Sequence, residues 1–226
     1  MKVKLVGYTQ PSTEFKDDFE DAKDLIAFCA RVSNPSNQFN SETADKLINY
    51  LVKHQHWSPL EMCSATLEIE TTRDIARQLL RHRSFSFQEF SQRYANPLED
   101  LQFEIREARL QDTKNRQNSI SISGEDEDSR FIVADWVRRQ QEVIDLVKEH
   151  YTWAVNAGIA KEQARCILPE GNTGSRLYVN GTIRSWIHYI SVRTDVSTQM
   201  EHRQLALEVA KVISSIFPVS IGGGHV

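Results

Sequence analysis

From Cys63 to Ile69 every second residue is apolar, and a few residues later that period gives way to the period of a helix. Cys63, Ala65, Leu67 and Ile69 alternate with Ser64, Thr66, Glu68 and Glu70, the signature of a strand over 62–70 with one buried face. Ile75, Ala76, Leu79 and Leu80 then make the apolar stripe of a helix over 73–82, with Thr72 placed to cap it. A strand joined to a helix with no loop must bury both apolar faces against one core, which also fixes where the polar faces point. The polar side of this helix is basic. Arg73, Arg77 and Arg81 follow at i, i+4 and i+8 and share a face, and Asp74 is the acidic residue beside them. Like charges so spaced repel unless an anion lies over them. Beyond Arg83, Phe85 and Phe87 alternate with Ser84, Ser86 and Gln88, and Glu89, Ser91, Gln92 and Arg93 follow. Arginines, a serine and amides concentrated in this way can surround a phosphate and read a flat polar ring.

The flanking chain alternates strands and helices without a regular βαβ rhythm. Strands are expected at 2–8, 85–94, 101–107 and 175–180, with Asn180-Gly181 as a turn signal. Helices are expected at 20–32, at 42–54 behind Ser41, at 130–156, over Lys161 to Leu168, from Ile183 to Arg193, and at 199–216. The long helix places Phe131, Ala134, Val137, Gln141, Ile144 and Val147 on one stripe and stops at Gly158, while 108–129 reads as a solvated loop and the terminal GGGHV as a frayed tail. No glycine-rich phosphate loop follows a strand. The pattern is that of an α+β fold: a mostly antiparallel sheet flanked by helices, with a helical portion, in a single domain over 1–226.

Composition narrows the function classes. A net charge of −4 argues against a nucleic-acid coat, so a basic cluster in this chain reads as a focused site for a small anion. Cys29, Cys63 and Cys166 lie far apart, which excludes a disulfide framework, and neither they nor the pair His54 and His56 is expected to hold a metal. No apolar run reaches membrane length and MKVKLVGY is no signal peptide, so the cytoplasm is the expected location, with no membrane partner. Within these bounds four uses of the arginine stretch stay open. It can be a solvated face laced with ion pairs, or a scaffold interface. It can be a single-stranded nucleic-acid surface in which Phe85, Phe87, Phe90 and Tyr94 stack bases. Or it can be a small-molecule site.

The run Arg81-His82-Arg83, seven residues, then Ser91 followed by Gln92-Arg93-Tyr94, resembles the signature of the flavin-dependent thymidylate synthases without a gap. His56-Trp57-Ser58-Pro59-Leu60-Glu61 resembles the segment that precedes that signature in the family. Ala164-Arg165 before Leu168-Pro169, and Arg184, His188 and Arg193 on one helix, resemble its second block, so the likeness spans most of 54–204. It implies conversion of dUMP to dTMP with methylenetetrahydrofolate as carbon donor, FAD as cofactor and NADPH as reductant, in a homotetramer with shared sites and no nucleic-acid partner. It implies that Ser58, Arg81, His82, Arg83, Glu89, Thr182, Arg184 and His188 meet the flavin, Thr182 on the loosest match. Gln78, Arg81, Glu89, Ser91, Gln92, Arg93, Arg165 and Arg193 would surround dUMP, with Arg193 catalytic at the uracil edge. None of the three cysteines sits in the Pro-Cys-His setting that a cysteine-dependent thymidylate synthase requires, in keeping with a flavin route.

Overall fold

The computed structural model describes residues 1–122, 124 and 126–217; the terminal GGGHV lies outside them. A four-stranded sheet carries the molecule. Strand β1 (Lys2–Tyr8) pairs with β2 (Ser64–Thr72), β2 with β6 (Gly174–Thr182), and β6 with β3 (Ser86–Glu89), every pair antiparallel. Cys63, Ala65, Leu67 and Ile69 are all buried, as the alternation requires. Against that face pack α3 (Arg73–Leu79), α7 (Ile183–Arg193) and α8 (Met200–Ile216), joining Ile75, Ala76, Leu79, Trp186, Tyr189, Leu205 and Val209 to Leu67, Leu177 and Val179 in one core. A second core holds α1 (Ala22–Ala30), α2 (Ala44–Lys53) and the short 3-10 turn Ser58–Glu61 against the start of α7. The helix α5 (Glu127–Asn156) packs its C-terminal half, through Tyr151 and Ala154, on α6 (Lys161–Ala164) and the 3-10 turn Arg165–Ile167. A one-turn helix, α4 (Pro97–Asp100), and a small hairpin of β4 (Arg109–Gln111) and β5 (Ser119–Ser121) complete the chain.

The fold is the expected α+β with an antiparallel sheet, and several local expectations need correction. Asn180-Gly181 is no turn. Both residues lie in β6, where Asn180 stands opposite Thr66 and Ser86. Gly181 is there because the Phe85 ring crosses it: a Cβ would meet the ring carbon Cδ1 at 2.2 Å. The expected strand at 101–107 reduces to one bridge, Phe103 to Thr173, because the Arg106 N–H goes to the Gln140 side chain instead. The strand at 85–94 is shorter than expected, since Ser91 turns the chain by accepting from the N–H groups of Tyr94 and Ala95. On α5 Phe131 and Val137 are exposed, and the buried line is Gln140, Ile144, Tyr151 and Ala154. The helix starts at Glu127, and the region read as a loop contains the hairpin. Ser41 is not the cap of α2, which starts after Thr43, and Thr72 makes no capping bond, its hydroxyl donating to Asp74 instead. Gly158 does end its helix, at a φ of +83° that suits glycine.

Candidate active site

Helix α3 stops at Leu79, so Arg81 leaves the face shared by Arg73 and Arg77. Those two arginines are answered within the fold. Arg77 Nη2 donates to both Glu89 oxygens, at 2.9 and 2.7 Å, and Arg73 lies 3.8 Å from the same carboxylate. The Ser175 hydroxyl donates to it as well, at 2.9 Å. Burial, then the neighbouring Arg77, push the Arg73 pKa down, and Glu89 opposes both. Arg81 and Arg83 are different. They sit on the turn between α3 and β3, exposed, with no carboxylate partner among the described residues. Between them His82 turns inward.

His82 packs edge-on against Tyr189, ring centres 5.1 Å apart, and accepts at Nε2 from Arg193 Nε at 2.9 Å. A guanidinium only donates, so His82 must be neutral with its proton on Nδ1. Burial, then the charges of Arg193, His188 and Arg81, lower its pKa to about 4. Behind it lies His202, fully buried, whose pKa is lowered to about 3 by burial and then by Arg193 and His82. Tyr189 is buried too, and burial raises its pKa. The sign of the pH dependence follows. In the unfolded chain both histidines titrate near 6.5, so between about pH 6.5 and 4 the unfolded state holds more protons. Their stabilisation is full above that window and declines as the pH falls through it. The melting temperature is therefore expected to fall from about pH 7 to about pH 4.5, and His202→Asn to shrink the fall. Equal falls in both proteins would show that His202 does not supply the linkage.

Arg193 closes α7, and Arg184 lies in its first turn. Arg184 Nη1 bonds the Glu61 carboxylate, which ties the first turn of α7 to the segment carrying Ser58. Thr182 caps α7, accepting from the Ser185 N–H at 3.2 Å, and the Ser185 hydroxyl donates to the Ser84 carbonyl at 3.3 Å. The Arg81–Arg83 turn, the Ser58 segment and the start of α7 are thereby joined, and His188 is exposed one turn beyond Arg184. Gln78 donates from Nε2 to Gln199 Oε1 at 2.7 Å and meets His202 Nδ1 at 3.1 Å. Gln92 is buried with its Nε2 unpartnered among the described residues, Arg93 meets Glu162 at 3.2 Å, and Arg165 stands half-buried one turn past Glu162. The charge of Arg165 links the last set back to Arg73.

Sequence reasoning missed His202, Gln199, Tyr189 and Arg106. His202 had a signal, since it occupies a position on the apolar stripe of α8 that continues through Leu205, Ala206 and Val209. Arg106 had none. It donates to Thr72, Asp74 and the Gly171 carbonyl and lies 3.2 Å from Glu201, so it joins α3 to α8. Cys63 contributes no nucleophile here: burial pushes its thiol up to about 12. Among the described residues no three His, Cys, Asp or Glu groups gather to hold a metal ion, and no helix is long and apolar enough to cross a membrane.

A family model described as thymidylate synthase complementing protein matches residues 14–219. The chain is 46% identical over 218 residues to a protein of Paramecium bursaria Chlorella virus 1 named a probable flavin-dependent thymidylate synthase, with 96% of each chain covered. It is equally similar, with the same coverage, to the flavin-dependent thymidylate synthase of Synechocystis. The chain belongs to this family. Among solved structures, the UMP/dUMP methylase PolB from Streptomyces cacaoi bound with 5-Br dUMP aligns with a TM-score of 0.77 at 25% identity, covering 97% of this chain and 92% of that one. The flavin-dependent thymidylate synthase signature Arg81-His82-Arg83 thus falls on a built feature of this member: a turn with two outward guanidiniums and one inward imidazole.

Proposed function

We propose that this protein converts dUMP to dTMP, with methylenetetrahydrofolate supplying the carbon, NADPH the electrons and bound FAD relaying them. It does so as a single-domain subunit of a cytoplasmic homotetramer with shared sites. The observation that carries the reading is the contact of Arg193 with His82, which joins the turn of Arg81 and Arg83 to the helix that bears the proposed catalytic arginine. The donor set suits a flavin dinucleotide. Arg81 and Arg83 are uncompensated cations among the described residues, of the kind a pyrophosphate requires; Ser58, His82, Thr182, Arg184 and His188 complete that set, and Glu89 adds an acceptor. FAD, when bound, supplies the hydride chemistry.

The remaining steps belong to the protein. Gln78, Arg81, Glu89, Ser91, Gln92, Arg93 and Arg165 bind and orient dUMP, its phosphate taking the guanidinium and hydroxyl donors. Arg193 donates its Nε–H to His82, which leaves the two Nη groups of the fork for the uracil edge in this reading. Charge that develops on the ring as C5 becomes nucleophilic meets a donor already in place, so little reorganisation is needed. His82 supports this only while neutral, because a protonated imidazole would repel the guanidinium it now accepts from. The cofactor assignment is tested by Arg83→Ala. The variant is expected to fold, by its circular dichroism, yet purify with little flavin. Retention of stoichiometric FAD would place the cofactor elsewhere.

A further inference from the structure

The hydrogen bonds behind Gln78 have a direction, and Glu201 sets it. Glu201 is buried, lies 3.2 Å from Arg106 and is also bonded by Arg109. Burial opposes its ionisation, but the bond from Gln199, its own backbone and the two guanidiniums together hold its pKa below the usual carboxylate range. A carboxylate only accepts, so Gln199 must donate through Nε2, at 3.0 Å, and turn its Oε1 toward Gln78. Gln78 then donates through Nε2 to that oxygen, at 2.7 Å. Its own Oε1 is left facing His202 Nδ1, at 3.1 Å. A carbonyl oxygen only accepts, so His202 carries its proton on Nδ1 and presents a bare Nε2. Among the described residues that Nε2 is buried without a partner, as a lone pair facing no donor must be, and the Tyr189 hydroxyl in the ring packed against it is unpartnered as well.

We propose that Glu201, Gln199 and His202 are positioning residues that lock the amide of Gln78 in one orientation, and that this lock selects uracil over cytosine. The inference rests on the reading of the site as one for dUMP. An amide held at both ends still has one N–H and one carbonyl lone pair to offer. Uracil presents O4 as acceptor beside N3–H as donor, whereas cytosine presents an amino donor beside a bare N3 acceptor. The two bases therefore need opposite amide orientations. A free glutamine flips to suit either base, but a locked one leaves two like groups facing each other with the wrong base.

Nitrogen-15 NMR of His202 in the wild-type holoenzyme is expected to show Nδ1 protonated and Nε2 bare; an Nε2-protonated ring would overturn the proposal. Gln199→Met cuts the chain while leaving Glu201 with its two arginines, and Gln199 is exposed, so folding is expected to survive. This variant is expected to keep its flavin and melting temperature but lose about tenfold of the preference for dUMP over dCMP, measured as the ratio of dissociation constants. If the wild type binds dUMP and the variant keeps the preference within about twofold, the lock does not select the base. If the wild type binds neither nucleotide, the dUMP reading fails, and the selection with it, while the His202 spectrum still decides the direction of the chain.

Discussion

Arg193→Ala is expected to lower single-turnover dTMP formation on pre-reduced enzyme by about a hundredfold or more, the loss seen when one preorganised donor is removed from developing charge. Saturating dUMP keeps binding out of the measurement, and the flavin content is expected to be unchanged, since the proposed FAD-binding residues are left in place. The structure makes the substitution a double loss. The alanine removes the fork proposed to meet the uracil, and it leaves Nε2 of half-buried His82 without its donor. Lysine is expected to rescue little, because a single ammonium cannot bond His82 through a fixed Nε–H and also present a planar fork to the ring. Formation of dTMP at the wild-type rate would make Arg193 a helix-end cation with no part in the chemistry.

The second large effect is on stability. Arg106 is 16% exposed and reaches Asp74 Oδ1 at 2.6 Å, the Gly171 carbonyl at 3.0 Å and Glu201 at 3.2 Å. Methionine keeps the length of the stem and removes every one of these bonds, leaving Asp74 short of its cation and Glu201 with Arg109 and the Gln199 amide. Removing one partner from a mostly buried ion pair costs about 3 kcal/mol, toward the lower bound because the site is not fully dry. For a chain of this size that lowers the melting temperature by roughly 6–12 °C. A change below about 1 kcal/mol in denaturant titrations would mean that water replaces the guanidinium and that the network holds nothing together.

What could be read from the residues was whatever rests on local period. The alternation of 63–69 produced β2, and the stripe of Ile75, Ala76 and Leu79 produced α3, because each buries a single face against the same core. The candidate residues came from the signature, and the fold brings His82 and Arg193 into contact across 111 positions of chain. What could not be read depends on long-range partners. Asn180-Gly181 has the composition of a turn, yet pairing on both sides of β6 and the Phe85 ring keep it extended. Phe103 and Ile105 alternate like a strand, but the Gln140 amide takes the backbone N–H that a neighbouring strand would have used. Arg77 and Glu89, twelve residues apart, pair only because β3 folds back beside α3, so the arginine face looked less compensated than it is. His202 hides in an ordinary apolar stripe and gains a role only when α8 docks behind Gln78.

The central claim is the methylation itself. Purified protein given FAD, NADPH, dUMP and methylenetetrahydrofolate labelled at the methylene carbon should yield dTMP carrying that label, as read by mass spectrometry of the nucleotide. Recovery of unlabelled dUMP alone, from protein that is folded and loaded with flavin, would contradict the account.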